Sequence, residues 1–554
     1  MKLLSTSKYL WAIALTISAT SASAEPWKFG VMSDTQWTTG ADPAGQNPTT
    51  VAKSIIDQIN PEFIAARVKF VIQVGDLADT GNDADEIVRA DAAQALYKAG
   101  IGFFPMRGNH ETYGTDNQFA IPIFQKIYPQ TRGLDHTFGA INFSSPTSVS
   151  TELDGMTYSF DYRNARFVVI DPWVTPSVDI SAAGYDFGYS ITQQQPWISN
   201  RLDLNCRRPD HAFVFSHQPL MAEDHQDTMF QGYTNANPDM QNAFFASLQN
   251  NDVKYFVAGH DHMNQHSIIA SPDGLSSVHE LIGASDSSKF YTPKSLTDAN
   301  WFGQKSRETP VSQELYTVGY YIFTVDGPRV TVDFYSDDHG HWQSDANYPL
   351  GAGLADTNIT PVFHFVKKQT WGYSLNGQEF LIPPGGSYTV IADEFEGTRA
   401  SILDGINSAT ITDYDSRQFT QAVDTGWDRR ECGSASATLS LWGMSSITTS
   451  AQEADQFVLE MSYDRDDGHS TYGSGDFGIQ TRDASGHWVP ASTVTGARAQ
   501  FVMGRWQPWY VLGTYGIDPI TRTAWVVTNQ QGEFRVASFD DRLMQNVCRL
   551  ENRR

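Results

Sequence analysis

The sequence predicts an α/β domain followed by an all-β, sandwich-like domain. From Trp27 to about Asp261, short β-branched or aromatic runs alternate with helical stretches, which is typical of an α/β domain. Beyond residue 360, runs with the strand period are separated by turn residues, which favours a β-sandwich. The 554 residues also exceed the roughly 250 to 300 at which a single hydrophobic core stops growing. At least two domains are therefore expected.

The N-terminus predicts a secretory signal peptide at 1–24. Lys2 and Lys8 lie near the start of the chain and precede an apolar run at 9–17. Small residues follow and end at Ala24, where cleavage is expected. A periplasmic or secreted protein follows from this. No later run approaches the roughly 20 apolar residues of a spanning helix, so no membrane span is predicted. The remaining boundaries are an α/β domain at 25–340, a linker at 341–360 and a β domain at 361–554.

The predicted α/β domain opens with strands that end in polar residues. Strands are predicted at 27–32, 69–74 and 102–106, with helices at 50–66 and 85–98 between them. Asp34 follows the first strand, Asp76 the second and Asn109 the third. Open α/β sheets bind ligands at the carboxyl ends of their strands, so these side chains are expected to converge.

The rest of this domain adds antiparallel pairing. Hairpins are predicted at 157–170 and 320–334, each around a turn of polar or Gly-Pro residues. Two more apolar strands, at 212–215 and 253–258, end close to His217 and His260. A purely parallel, doubly wound sheet is therefore not expected.

The β domain is predicted from runs at 457–462, 497–502, 509–512 and 523–527. Its tryptophans are expected to fill the core of the sandwich. Cys432 and Cys548 both fall in this domain and are expected to pair in an oxidising compartment; the alternative is that both, like Cys206, are buried thiols.

The charge balance excludes polyanions as standing partners. The chain has 63 acidic and 38 basic side chains, for a net charge of -25. Affinity for phosphate backbones depends on Lys and Arg, so nucleic acid and anionic membranes are not expected to bind. A small phosphate ester remains compatible, because a metal centre overrides the distant field.

Five short motifs stand in order at the predicted strand ends. They are Asp34-Thr35-Gln36, Gly75-Asp76-Leu77-Ala78-Asp79, Gly108-Asn109-His110-Glu111, Ser216-His217-Gln218-Pro219 and Gly259-His260-Asp261-His262. Their carboxylate oxygens and imidazole nitrogens suit Mn, Fe and Zn. Over roughly residues 27 to 335, this series resembles the pattern DxH, GDxxD, GNH(D/E), a lone H and GHxH of the calcineurin-like metallophosphoesterase superfamily.

The resemblance implies a metallophosphoesterase-type β-sandwich flanked by helices, with two divalent or trivalent metal ions (Mn, Fe, Zn or Mg). The implied ligands are Asp34 and His262 for the first ion, Asp76 as a bridge, and Asn109, His217 and His260 for the second. His110 would contact the phosphate or protonate the leaving oxygen, and a hydroxide shared by the metals would be the nucleophile. Asp79 and Glu111 would orient the ligands.

Gln36 departs from the family pattern, which usually has His at this place. An amide oxygen is neutral and harder than imidazole, so Gln36 as a ligand would favour Mn or Mg over Zn or Fe at the first site. Alternatively, Gln36 leaves the metal and hydrogen-bonds the substrate. Both possibilities stay open.

The predicted function is therefore an exported, two-metal-dependent phosphoesterase that hydrolyses small phosphate mono- or diesters. The metal motifs do not separate the two ester classes, because specificity depends on loops. A purple acid phosphatase is disfavoured, because that group has a metal-bound Tyr where this chain has Asp79. The alternative from another class is a catalytically silent protein that binds glycans or a cell surface.

Overall fold

The computed structural model describes the greater part of the chain. The described residues are 25–37, 49–79, 83–112, 120–174, 191–203, 210–225, 228–230, 237–295, 305–339, 342, 361–407, 413–444, 453–464 and 473–540. The predicted signal peptide at 1–24 lies outside them, as does the predicted linker at 341–360 apart from Trp342. Among the described residues, no helix combines the length and apolar character needed to cross a membrane.

Two mixed sheets and six described helices form the first part of the chain. The strands are β1 (Trp27–Met32), β2 (Phe70–Gln73), β3 (Gly102–Pro105), β4 (Ile141–Ser144), β5 (Tyr158–Tyr162), β6 (Ala165–Ile170), β7 (His211–Ser216), β8 (Tyr255–Ala258), β9 (Asn264–Ala270), β10 (Ser277–Ile282), β11 (Glu308–Glu314), β12 (Gly319–Asp326), β13 (Arg329–Asp337) and β14 (Phe365–Ser374). The helices are α1 (Thr49–Ala66), α2 (Asp83–Ala92), α3 (Gln94–Lys98), α4 (Ala120–Ile127), α5 (Ile191–Leu202) and α6 (Pro238–Gln249). One sheet has the order β14-β13-β12-β1-β2-β3, and the other β11-β9-β10-β8-β7-β6-β5-β4.

The two sheets pack face to face around an aromatic core. The ring of Phe29 in β1 lies 5.0 Å from that of Phe167 in β6 and 5.1 Å from that of Phe213 in β7. Helices cover the outer faces: Ile59 of α1 packs with the first sheet, and Phe244 of α6 with the second. Central strands such as β2 and β7 are therefore buried on both faces, which explains their continuous apolar runs. The predicted β-sandwich flanked by helices is confirmed.

The strand directions bring the carboxyl ends of several strands to the same edge. β1, β2 and β3 run parallel to one another, and so do β6, β7 and β8. The predicted hairpins are present as β5–β6 and β12–β13. The single helix predicted at 85–98 is instead two helices, α2 and α3, which are separated at Ala93.

The C-terminal region is all-β, as predicted. Its strands are β15 (Glu379–Ile382), β16 (Ser387–Tyr388), β17 (Ile391–Phe395), β18 (Thr398–Leu403), β19 (Gly405–Ile406), β20 (Gln421–Asp428), β21 (Thr438–Trp442), β22 (Glu453–Ser462), β23 (Phe477–Arg482), β24 (Trp488–Pro490), β25 (Gln500–Met503), β26 (Thr514–Asp518), β27 (Thr523–Gln530) and β28 (Gly532–Ser538). They form the sheets β15-β20-β21-β28-β23-β24 and β17-β18-β22-β27-β26-β25, with β16–β19 as a small pair. Trp427 is fully buried in the core of this sandwich.

The prediction of a strand at 509–512 is wrong. These residues form turns and irregular structure, in which the backbone nitrogen of Tyr510 donates to the carbonyl of Gln507 at 3.0 Å. The Tyr510 ring stacks on Trp525 with centroids 5.2 Å apart, and Trp509 is 71% exposed. Tyr510 packs on the outer face of the sheet, whereas Trp509 and Val511 are exposed. The alternation of exposed and half-buried residues at 509–512 therefore reflects packing on a sheet and not strand pairing.

β14 lies within the sheet of the first part, although its sequence falls in the predicted β domain. It pairs with β13 along nearly its whole length, from Arg329 opposite Ser374 to Asp337 opposite Phe365. The partner satisfies an edge that β13 would otherwise present to solvent. The sheet of the α/β region therefore extends past the predicted boundary at 361.

Cys432 is disulfide-bonded. Cys206 and Cys548 lie outside the described residues, so the pairing of Cys432 with Cys548 stays a prediction.

Candidate metal centre

The predicted site residues meet where the two sheets bring their strand ends together. Asp34, Asp76 and Asn109 follow β1, β2 and β3 of one sheet, while His217 and His260 follow β7 and β8 of the other. All five are buried, with at most 6% of each residue exposed. The convergence expected from the sequence is therefore present.

Three motif glycines leave the space that the polar side chains occupy. A Cβ atom on Gly108 would lie 2.0 Å from Asp76 Oδ1, and one on Gly75 would lie 2.4 Å from His217 Nδ1. A Cβ atom on Gly259 would lie 2.7 Å from Asp34 Oδ2. These glycines precede site residues because the neighbouring motif packs directly against their backbone.

The backbone at the site is strained in a way that aims side chains at one point. Asp34, Asp76, His260 and His262 have φ of 49°, 46°, 77° and 52°. Such left-handed conformations cost about 1–3 kcal/mol each for residues other than glycine and cluster at functional sites. The fold therefore gives up stability to place these four side chains.

Two groups of metal-ligating side chains share one carboxylate. Asp76, His217 and His260 form one group, and Asp34, Asp76 and His262 form the other. Within each group the donor atoms all lie within 4.8 Å of one another, and every member is buried. An arrangement of this kind offers two adjacent cation sites with Asp76 between them.

Backbone carbonyls orient two of the imidazoles. His217 Nδ1 lies 2.8 Å from the Val74 carbonyl, and His262 Nδ1 lies 2.7 Å from the Lys289 carbonyl. Each Nδ1 must donate there, so each Nε2 is left facing the centre. Partners of this type fix the tautomer of metal-binding histidines. His217 Nε2 lies 2.9 Å from Asn109 Oδ1, which places the Asn109 amide in the same group.

The electrostatics of the centre favour positive charge. Burial and the nearby Asp76 raise the pKa of Asp34 to about 7, although His217 opposes the shift. Burial would also raise the pKa of Asp76, but His217 and His110 outweigh it, and this pKa lies well below its ordinary value. Burial would lower the pKa of His217, yet Asp76 raises it to about 10. In the metal-free protein, a proton on His217 thus balances Asp76.

A model of the calcineurin-like phosphoesterase family matches residues 28–264, a span that includes all five motifs. This region belongs to that family. The phosphoesterase domain makes the chain a metal-dependent phosphoester hydrolase. No match was found among curated proteins.

Several solved structures are weakly similar to this chain. PhoD is 12% identical, with 64% of this chain and 70% of PhoD covered and a TM-score of 0.40. A dimetal phosphatase from Danio rerio is 15% identical, with 55% and 95% covered and a TM-score of 0.35. A purple acid phosphatase from yellow lupin (Lupinus luteus) seeds is 13% identical, with 56% and 51% covered and a TM-score of 0.36. At these identities and TM-scores, no conclusion about this chain rests on the likenesses.

His110 lies at the partly exposed rim of the phosphoesterase site, beside the fully buried Gln36. His110 Nδ1 donates to the Asp79 carbonyl at 2.7 Å, so Nε2 accepts from the Gln36 amide nitrogen at 3.1 Å. The same amide nitrogen donates to Asp76 Oδ2 at 3.3 Å. Because the His110 side chain is 18% exposed, it borders both the buried centre and the solvent.

Asp79 and Glu111 hold the loops that carry the ligands. Glu111 accepts from the backbone nitrogens of Ala78 at 3.0 Å and Gly108 at 2.6 Å, which ties the second motif to the third. Burial and Asp76 raise the pKa of Glu111 to about 6. Asp79 accepts from the ammonium of Lys289. Both positions agree with the orienting role that the resemblance implies.

Three supporting residues were not assigned a role from the sequence. Asp261 lies between two predicted ligands and accepts from His225 Nδ1 at 2.8 Å. Asp286 accepts from the backbone nitrogen of Ser33 at 2.9 Å, and Lys289 contacts both Asp79 and His262. Asp286 stands shortly after β10, at a strand end like the predicted ligands, so the same positional signal applies to it.

Proposed function

We propose that this chain is an exported phosphoesterase that hydrolyses phosphate mono- or diesters at a pair of metal ions. The observation that carries the proposal is the pair of buried donor groups that share Asp76. The N-terminal signal-peptide pattern supports export to the periplasm or outside the cell. An exported protein processed as proposed would begin at Glu25, which N-terminal sequencing of the mature chain tests.

The donor set fits two ions of the Mn, Fe, Zn or Mg type. The ligands would be Asp34, Asp76 and His262 at the first site, and Asp76, Asn109, His217 and His260 at the second. These groups supply only oxygen and nitrogen donors. The imidazole N–H groups of His217 and His262 donate to backbone carbonyls. Such ions supply Lewis-acid polarisation of the phosphoryl group and activation of water.

The side chains around the centre divide the remaining work. Asp76 holds the two donor groups together, and the Val74 and Lys289 carbonyls keep His217 and His262 in register. His110 presents Nε2 at the partly exposed rim, where it can hydrogen-bond the phosphate or carry the proton that the leaving oxygen needs.

Gln36 is proposed to position His110 rather than to bind the first ion. Its amide nitrogen contacts both His110 Nε2 and Asp76 Oδ2, which is a donor's arrangement. The amide oxygen and nitrogen are interchangeable by rotation of the group, and the tautomer of His110 selects the nitrogen here. The first site would then have three protein ligands and keep open positions for water or substrate.

The binding-protein alternative receives no support from the site. All predicted ligand positions are retained and brought together, with Gln36 as the one departure from the family pattern. In the described part of the C-terminal region, Trp427, Trp442 and Trp525 are buried as expected for core residues, whereas Trp509 is 71% exposed.

The direct test is hydrolysis of matched aryl phosphate monoesters and diesters by the metal-free protein after addition of Mn, Fe, Zn or Mg. Metal-dependent turnover of either ester supports the proposal and separates the two classes. A protein that binds up to two ions without turnover would point to a different phosphate ester. Failure to bind any of the four metals would refute the proposal and revive the binding-protein alternative.

A further inference from the structure

A chain of buried charges joins the C-terminal region to the segment beside the metal centre. The ammonium of Lys305 lies 2.5 Å from a carboxylate oxygen of Glu223 and 3.3 Å from one of Asp415. The exposed fractions of these three side chains are 1%, 1% and 4%. Burial alone would lower the pKa of Lys305, but Glu223 and Glu308 raise it, so the ammonium stays charged.

Glu223 in turn belongs to the support of the metal centre. Its backbone nitrogen donates to Asp261 Oδ2 at 2.5 Å, while the backbone nitrogen and Nδ1 of His225 donate to Asp261 Oδ1 at 3.0 and 2.8 Å. Asp261 stands between His260 and His262 in the chain, and the ring of His225 lies 4.1 Å from that of His260. A shift of Glu223 would therefore be transmitted to the ligand-bearing loop.

The segment that carries Asp415 is anchored on β11 by contacts of its own. Arg417 Nη1 donates to Glu308 Oε2 at 2.8 Å, and the backbone nitrogen of Tyr414 donates to Gln313 Oε1 at 2.8 Å. Arg417 also pairs with Asp413 within the segment. Asp415 is thus held in place from the C-terminal side and is not a flexible surface charge.

We propose that Lys305 is a positioning residue through which Asp415 of the C-terminal region holds Glu223, and with it the Asp261–His260 loop, in the metal-binding arrangement. This inference rests on the proposed function for its effect on metal use. It assigns the C-terminal region a role in support of the catalytic site instead of recognition of a separate ligand. Loss of one partner of a buried ion pair is strongly destabilising, because it leaves the remaining charges uncompensated.

The chain offers a matched control at the opposite end of strand β8. Lys254 pairs with Glu379 at 2.9 Å and Asp424 at 3.1 Å, and so also joins the two parts of the chain. It precedes β8, whereas the metal-site loop follows β8. Lys254→Met therefore breaks a similar link without contact to the Asp261 support.

The experiment compares Lys305→Met, Lys305→Arg, Asp415→Asn and Lys254→Met in the full-length protein. Changes in supporting residues behind ligands typically cost 10- to 100-fold in metal affinity. We expect Lys305→Met and Asp415→Asn to raise the metal concentration for half-maximal activity by about tenfold with little change in KM. Lys305→Arg should restore most of the affinity, and Lys254→Met should lower the thermal midpoint without changing the metal requirement.

A readout that needs no activity keeps this inference separate from the proposed function. In ¹⁵N-histidine spectra of the metal-free protein, assigned with His225→Gln, the Nδ1 signal of His225 should shift in Lys305→Met and Asp415→Asn but not in Lys254→Met. If the wild type binds no metal, the proposed function fails, and these spectra still decide the positioning role. Equal effects of Lys305→Met and Lys254→Met, or no shift in either, would overturn it. Should Lys305→Met not fold, Asp415→Asn decides by the same criteria.

Discussion

Replacement of Gly108 by alanine is expected to disable the metal centre through a single methyl group. The new Cβ would lie 2.0 Å from Asp76 Oδ1 and 2.4 Å from the Asp76 backbone nitrogen. Because the second of these atoms is backbone, rotation of the carboxylate cannot relieve the clash. To regain a contact of 3.4 Å, the Asp76 oxygen must move by about 1.4 Å, and a misplacement of about 1 Å can cost 100-fold in rate.

We therefore expect Gly108→Ala to lower metal-dependent turnover of an aryl phosphate by about 100-fold or more. Overpacking should also reduce the free energy of unfolding by about 1–3 kcal/mol, measured by urea denaturation of the metal-free protein. Gly473→Ala is the control, because no atom lies within 4 Å of its Cβ position and its φ is not in the left-handed region. Turnover of Gly108→Ala within threefold of the wild type would refute the idea that this close approach fixes Asp76.

Four further results are expected. Asp76→Asn should lose at least one ion by metal analysis. Its activity should fall by more than the roughly 10- to 100-fold that mutation of residues behind the ligands typically costs. Full metal loading would contradict the bridging role. His110→Ala should lower kcat by about 10²- to 10⁴-fold with metal content retained, whereas unchanged kcat would remove it from proton transfer. Gln36→His should leave the affinity for zinc unchanged, because Gln36 is proposed to position His110 and not to bind the first ion; a raised affinity would show that this position reaches that ion. Metal loading at pH 8 should release protons, because the pKa of His217, about 10, keeps this side chain protonated without metal, whereas a histidine that binds a metal must be neutral. Calorimetry in buffers of different ionisation enthalpy measures the proton release. Its absence would contradict the balance of charge between His217 and Asp76.

The sequence was a good guide where local pattern and function agree. Strands β2 and β7 are buried on both faces, and their apolar runs identified them. Polar residues at strand ends then identified the site, because parallel strands deliver their carboxyl ends to one edge. The prediction of a strand at 509–512 failed because a segment that packs on a sheet through alternate residues has the same period as a strand within the sheet.

The supporting residues were beyond the reach of motif spacing. Asp261 lies within the fifth motif, but its hydrogen bond with His225 forms only because a distant loop folds back to the site. Lys305 and Asp415 are 110 positions apart and meet only because the C-terminal segment packs on β11. Nothing in the local composition of either residue distinguishes a buried partner from a solvated charge.

The sequence by itself determined the class of the fold, the order of the five motifs and the chemistry of their side chains, because these follow from periodicity and residue type. Only the tertiary structure decided that β14 completes the first sheet, that the Gln36 amide nitrogen faces His110, and that charges from the C-terminal region reach the support of the metal centre. Those features depend on contacts between residues far apart in the chain. The packing of whole elements determines such contacts, and the local propensity of a segment does not predict them.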